Sequence, residues 1–386
     1  MAGKQVRSGQ ADNLTRRDFM RDSAVAAAAL AAGLRTTDSR AGQKDSVSAE
    51  KTRSYNPNME YRPLGKTGLM VSAVSLGGHW KKLVPRFGSE QFKKNRRDVV
   101  SACIEAGINY VDACTSSEII TYSEALRGRR DKMYFGFSYC EHEARHKEWQ
   151  TRAKLLEALD DIMARAKLDY ADLWRITCLW KPNTDHTAAQ EEAIVEALEQ
   201  AKKAGKVRFS GISTHKHDWA IRMIETYPET IEALVVPYTA GSKKVHMRVD
   251  PQGGGWQGVA EKKDAEKPNI YSLIDAVKKA KVGWVGIKPF ASGSVFKSRG
   301  VPDSATREED DQRARLTLRY ILSNDALTCA IPGLITTDQV RNAAKAVGER
   351  RRLDLAESQR LRQAVDEMWA KLPANYRWLE HEWKWV

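Results

Sequence analysis

Ile108-Asn109-Tyr110-Val111-Asp112-Ala113-Cys114 reads as a short buried strand that ends on an acid. Ile108 to Val111 supply the apolar run, and Asp112 follows at once. A carboxylate is costly in a core unless it is paired or hydrogen-bonded. Asp112 therefore belongs at the strand's exit, where a site can use it, or it caps the next helix. The residues on either side decide between the two.

Outward from this stretch, short apolar strands alternate with amphipathic helices. Tyr61–Leu64 and Leu69–Ser72 flank Gly65-Lys66-Thr67-Gly68, a hairpin with glycines for its turn. Val74-Ser75-Leu76 then stops at Gly77-Gly78. Helices are expected over 98–106, 123–126, 149–164, 188–204, 218–226, 270–281, 311–323 and 337–347. Strands are expected between them over 110–112, 133–138, 172–177, 207–213, 233–237, 282–288 and 327–331. Such alternation means parallel strands joined by crossovers. Eight of them close into an α/β (β/α)8 TIM barrel, which leaves no sheet edge. An open doubly wound sheet is the competitor, but no GxGxxG follows the first strand. In a barrel the chemistry sits at the strands' C-terminal ends. Those ends carry Gly77, Asp112, Ser138, Thr177, Ser213, Pro237, Lys288 and Pro332.

Two pieces fall outside the beat. Residues 238–268 form a long connection containing Gly253-Gly254-Gly255-Trp256-Gln257-Gly258, a lid or a mobile insertion. After the barrel, 348–386 holds one more helix, over 358–372, and a tail with Trp378, Trp383 and Trp385. Tryptophans in that number are expected to pack back on the barrel or onto a second copy.

The N-terminus reads differently. Thr15-Arg16-Arg17-Asp18-Phe19-Met20-Arg21 precedes an Ala-rich run from Ala24 to Leu34, too short and weakly apolar to span a bilayer. The segment resembles a twin-arginine export signal, with Ser39-Arg40-Ala41 offering small residues for cleavage. That implies the twin-arginine export machinery as a partner and a periplasmic destination. Residues 1–41 are thus set apart from the fold, 42–58 read as a polar linker, and 59–347 as the barrel.

The chain has 386 residues and a net charge of +13, but its basic residues are scattered among acids. That is a solvated surface rather than a nucleic-acid face. Five cysteines without CxxC spacing argue against a disulfide framework or a zinc ribbon.

Five stretches in order resemble the aldo/keto reductase family. They are Tyr61–Ser72, Gly107-Ile-Asn-Tyr-Val-Asp112, Asp169-Tyr-Ala-Asp-Leu-Trp174, Gly205–Ser213 and Ile331-Pro-Gly333. The resemblance covers about residues 59–347 and implies NADP(H)- or NAD(H)-dependent chemistry on a small carbonyl or alcohol ligand. It also implies a tetrad in which a Tyr gives the proton, a Lys paired to an Asp lowers its pKa, and a His orients the carbonyl. Asp112 matches the Asp. The Tyr position is Ser117, the Lys position Ser138, and the His position Thr177. Tyr122 and Tyr139 are near in sequence but out of register by five residues and by one. On the cofactor side the resemblance points to Gly77, Gly78, Ser213, Thr214, Lys288, Ser292, Gly293 and Gly333. Thr214 replaces an expected Asn, Val235 an expected Gln, and Ile335 the residue that would hold a 2′-phosphate.

Three functional readings follow. One is an oxidoreductase with a rearranged site, drawing on Asp112, Lys288, His215, His142 and Tyr139. The second is a barrel that kept the fold, lost the reaction and binds a ligand. The third is a thiol or metal site at the mouth, from Cys114, Cys140, Cys178 and His142. Among the remaining histidines His79 stands apart, because His79-Trp80 follows Gly77-Gly78 beside the cofactor mouth. Arg175 lies two residues before Thr177, so it is expected to share its facing and to pair with Asp112.

Overall fold

A computed structural model describes residues 48–80, 82–83, 85–181, 184–241, 245–249, 256–260 and 273–380. Residues 1–41, read above as an export signal, residues 42–47, Gly253 to Gly255, and Trp383 and Trp385 lie outside the described residues.

In chain order the strands are β1 (Tyr61–Pro63), β2 (Met70–Ser72), β3 (Tyr110–Ala113), β4 (Tyr134–Phe137), β5 (Ala171–Thr177), β6 (Val207–Ser213), β7 (Ala233–Pro237), β8 (Val245–Val249), β9 (Trp256–Ala260), β10 (Gly283–Ile287) and β11 (Leu327–Ala330). The helices are α1 (Glu90–Glu105), α2 (Ser116–Ala125), α3 (Arg152–Ala166), α4 (Ala188–Lys203), α5 (His217–Thr226), α6 (Leu273–Ala280), α7 (Arg307–Ile321), α8 (Thr337–Gly348) and α9 (Leu355–Ala370). β1 and β2 make the expected hairpin. Seven strands make one parallel sheet in the order β11-β10-β7-β6-β5-β4-β3. Its two edges are joined by residues 73–77. Ser75 N donates to Ala330 O at 2.9 Å, and Leu76 N to Tyr110 O at 2.9 Å. Val74 bridges Ala330, Leu76 bridges Val111 and Gly77 bridges Gly333, all parallel. The stretch expected as the first barrel strand therefore closes the ring as a run of single bridges.

Side chains alternate across the sheet as the pleat requires. Tyr110, Leu173, Val235, Val285 and Cys329 fill the barrel, together with Leu64 from below. Val111, Phe135, Trp174, Ile212, Leu234 and Trp284 face the helices in the outer core. Asp112 and Arg175 share the inward parity of Tyr110 and Leu173.

Several boundaries moved because of caps. α1 starts at Glu90 rather than Asp98, since Ser89 accepts from Phe92 N. α2 starts at Ser116 rather than Ser123, since Thr115 accepts from Glu118 N. α9 starts at Leu355 rather than Ser358, behind an Asp354–Glu357 capping box. The long 238–268 connection contains a secondary hairpin, β8 with β9, Met247 opposite Gly258. Residues 48–58, read above as linker, are tied to the barrel's N-terminal face. Thr52 Oγ1 donates to Met70 O at 2.5 Å, and Arg53 Nη1 donates to Asp172 Oδ2 at 3.2 Å. No helix among the described residues is long and apolar enough to cross a membrane.

Candidate active site

The floor of the site is a buried ion pair. Arg175 Nε donates to Asp112 Oδ1 at 3.0 Å, and Arg175 Nη2 donates to Oδ2. Tyr110 OH donates to Asp112 Oδ1 at 2.9 Å. Burial works against the Arg175 charge, but Asp112 overrides it and holds the guanidinium protonated. Burial and the Asp112 charge push the Tyr110 phenol well above its ordinary value, so it is no acid for catalysis. Arg175 Nη1 donates to Ser138 Oγ at 3.0 Å, and Thr177 Oγ1 donates to the same oxygen at 2.9 Å. Ser138 has one proton left to give, and Oγ lies 3.6 Å from Cys114 Sγ. The positions expected to hold a Lys and a His are thus linked to Asp112 through an arginine, and the chain ends on a cysteine sulfur.

Cys114 is the thiol whose surroundings favour the thiolate. The Cys140 thiol hydrogen-bonds to it and pulls its pKa down to about 6; burial opposes this, and Arg175 and His79 assist. The Cys140 thiol is pushed up by the same contact. Cys178 stays a buried thiol, raised by desolvation, with Sγ 3.4 Å from Ile176 O. Beside Cys114 sits a carboxylate–imidazole pair. Glu118 Oε2 accepts from Cys114 N at 2.8 Å, and His79 Nδ1 lies 2.8 Å from Glu118 Oε1. Burial pushes Glu118 up, but His79 and two backbone N–H groups outweigh it and leave its carboxyl below the usual range. The Glu118 bond raises His79 above its ordinary value. Gly78 makes room for this pair, because a Cβ there would meet the Glu118 carboxylate at 2.1 Å.

All of this opens into one cavity of about 650 Å³, a size that suits a cofactor or small ligand. Asp112, Thr177, Cys114, Cys140 and Cys178 line it, as do all eight expected cofactor contacts from Gly77 to Gly333. The cavity runs from that floor to Thr336 at the start of α8. Along it, Lys288, Ala291, Ser292 and Gly293 all have positive φ, and the turn closes on itself, with Ala291 N donating to Lys288 O at 2.9 Å and Gly293 N to Phe290 O at 2.8 Å. Lys288 Nζ lies 5.7 Å from the centre of the Tyr376 ring, so the C-terminal segment reaches the mouth. These features suit a dinucleotide. Asp338 and Ile335, also in the lining, do not favour a 2′-phosphate beside them, and Arg299 and Lys82 are further cations in the same lining.

Other expectations are not met. Ser117 lies in the first turn of α2 and bonds Thr115 Oγ1 at 3.0 Å, outside the cavity lining. His142 packs edge-on to Tyr139 and tilted on Trp149, each at 4.5 Å, and is also outside the lining. Tyr139 OH accepts from Arg165 Nη1 at 2.7 Å, and Tyr122 OH donates to Gly77 O at 2.5 Å, so neither swings in. His215 does line the cavity against Trp180, and burial holds it well below its ordinary value. Among the described residues no group of three His, Cys, Asp or Glu could hold a metal ion, and His142 lies apart from the cysteines that line the mouth. Two site acids escaped the sequence reading. Glu118 sits in a Thr-x-x-Glu pattern that reads as a capping box. Glu143 is fully buried and accepts from Tyr139 N, Trp174 Nε1 and Thr177 N at 2.8, 2.9 and 2.7 Å. Burial nonetheless raises it to about 7.

The profile of the Aldo/keto reductase family matches residues 73–249. L-glyceraldehyde 3-phosphate reductase of Escherichia coli strain K12 is 22% identical over 271 residues, 67% of this chain and 69% of that protein. L-galactose dehydrogenase of Arabidopsis thaliana is 24% identical over 319 residues, 75% of this chain and 89% of that protein. The holo form of aldo-keto reductase AKR11C1 from Bacillus halodurans superposes with a TM-score of 0.54 at 20% identity, covering 79% of this chain and 96% of that one. An aldo-keto reductase from Klebsiella pneumoniae in complex with NADPH gives 0.55 at 17% identity, covering 79% and 94%. The family profile thus covers somewhat under half of the chain, and the solved structures share its fold.

Proposed function

We propose that the chain is a nicotinamide-dependent oxidoreductase that acts on a small carbonyl or alcohol through a rearranged site. The observation that carries this reading is the single cavity lined by Gly77, Gly78, Ser213, Thr214, Lys288, Ser292, Gly293 and Gly333, with Asp112 at its floor. The nicotinamide, NADP(H) by the family's habit, supplies or accepts a hydride. The chain's own residues do the rest. Ser213 at the end of β6 offers a hydroxyl to the carboxamide, and Lys288 and Ser292 in the cavity lining offer an ammonium and a hydroxyl to the phosphates. Arg175 grips both oxygens of Asp112 and holds the floor rigid. His79 takes the acid's part: Glu118 favours its charged form, and its side chain is 48% exposed in the cavity wall. The names of the relatives, a glyceraldehyde phosphate reductase and a galactose dehydrogenase, support a hydroxyaldehyde or sugar as substrate class.

Titration of the full chain with NADPH and NADH, read by nicotinamide fluorescence, tests this, followed by assays with glyceraldehyde. Saturable binding with turnover supports the reading. Binding without turnover makes the barrel a ligand-binding protein, and no binding removes the nicotinamide from it. We further read residues 1–41 as an export address, supported by Arg16-Arg17 and the Ala-rich run. Periplasmic fractionation of the wild type against R16K/R17K checks this; equal retention in the cytoplasm would count against it.

A further inference from the structure

The Cys114–Cys140 pair at the cavity floor has no part in the carbonyl chemistry above, and its geometry has a use of its own. The two residues leave adjacent strands. Cys140 N donates to Cys114 O at 3.1 Å, which puts the two Cα atoms about 5–6 Å apart, inside the span a disulfide bridges. Their side chains already touch by a hydrogen bond. Both line the cavity, and Cys114 is the one cysteine of the five that is not buried. Ser138 Oγ, Cys140 Sγ and the Arg175 charge converge on Cys114 Sγ, while Arg145 from the same wall is the cation acting on Cys140.

We propose that Cys114 and Cys140 form a redox-active dithiol that exchanges with low-molecular-weight disulfides entering the barrel mouth. Cys114 is the attacking thiolate. Its sulfur bonds to one sulfur of R–S–S–R, the S–S bond breaks, and one R–S⁻ leaves. Cys140 then gives its proton to that leaving thiolate and attacks Cys114 Sγ, expelling the second R–S⁻. The protein loses two electrons and gains the Cys114–Cys140 bond, and the small disulfide is reduced to two thiols. Division of labour follows from the hydrogen bond: the accepting sulfur is the better thiolate, and the donating one keeps the proton needed for the second step. Cys103, Cys178 and Cys329 take no part, being buried thiols that desolvation pushes above their ordinary value. This inference is independent of the nicotinamide reading.

The test is exchange of the reduced, full-length protein with oxidised glutathione, quenched in acid and read by intact mass and peptide mapping. The wild type is expected to lose the mass of two hydrogens and to yield one cross-linked peptide pair, Cys114 with Cys140. C140S is expected to stop as a mixed disulfide on Cys114, carrying one glutathione. C114S is expected to lose rapid exchange altogether. If the wild type stays fully reduced, or if C114S still forms a disulfide at the wild-type rate, the proposal is wrong. Circular dichroism on both serine variants separates a lost thiol from a lost fold.

Discussion

Arg175 grips both carboxylate oxygens of Asp112 across an intervening strand, over the spot where β4 has Gly136. The glycine is what lets the arrangement exist, because a Cβ there would strike the Tyr110 hydroxyl at 2.0 Å. Arg175 is 2% exposed and Asp112 3%, so neither charge can be left alone without a large penalty.

That isolation gives a measurable asymmetry. R175M strands a buried carboxylate and is expected to cost about 3–5 kcal/mol in urea unfolding. The double variant R175M/D112L removes both charges and is expected to recover most of that loss. A loss below about 1 kcal/mol for R175M would mean that solvent reaches Asp112 and that the pair is not the floor of the site.

How much of this was readable beforehand differs from residue to residue. Asp112 announced itself because an acid ending an apolar run must be paired, and Arg175 followed from strand parity alone. Both depend only on local spacing. The eight residues expected to touch a cofactor came from resemblance, and glycines and strand ends are fixed by the barrel whatever the chemistry. What was illegible depends on long-range meetings. Glu118 looks like a helix cap until Gly78 brings His79 over it. The Asp172 arginines come from residues 53, 130 and 208, and no window of sequence holds them together. Ser117 was misplaced because the cap at Thr115 starts α2 early and puts that position on a helix rather than in the mouth.

Cys114 should alkylate at unusually low pH. Cys140, Ser138, Arg175, His79 and Glu118 all face it, and all but Glu118 favour the thiolate. Iodoacetamide labelling of Cys114, followed by peptide mass, is expected to show a midpoint near 6. In C140S the midpoint should rise toward the ordinary thiol value of about 8.5. An unchanged midpoint in C140S would show that the neighbouring thiol does not hold the charge.

His79 is assigned the proton. Its charged form is favoured by Glu118, so reductive turnover should persist above the ordinary histidine value and fall as pH rises through the raised one. H79Q is expected to lower kcat about 10²-fold with nicotinamide affinity unchanged, and to flatten the pH profile. Full activity in H79Q would hand the acid's part to another group.

Glu143 should tilt the stability curve. Its carboxyl is raised by burial from 4.5 to about 7 in the folded chain. The folded state therefore binds more protons than the unfolded one between those values, and stability falls as pH rises through that window. The contribution is on the order of 3 kcal/mol across the window. E143Q cannot titrate, so unfolding free energies measured from pH 4.5 to 7 should lose this component of the slope.

Asp172 should do the opposite at the other end of the barrel. It is fully buried and meets Arg53, Arg130 and Arg208 at 3.2, 2.7 and 2.9 Å, with Phe135 N donating at 2.9 Å. Burial pushes this carboxyl up, but the three guanidiniums and the N–H outweigh it and hold it well below the usual carboxylate range. A depressed pKa contributes stability above the unfolded value of about 3.9, and that stability drains away as pH falls below it. D172N is expected to cost about 3–5 kcal/mol at neutral pH, because three cations then converge on an uncharged amide. The gap between D172N and wild type should narrow steadily below about pH 4. Arg53 is the group through which residues 48–58 hold this face, so limited proteolysis of D172N should cut within 48–58 sooner than in the wild type. Equal cutting rates would mean that the segment is fastened by Thr52 and its neighbours rather than by the Asp172 cluster.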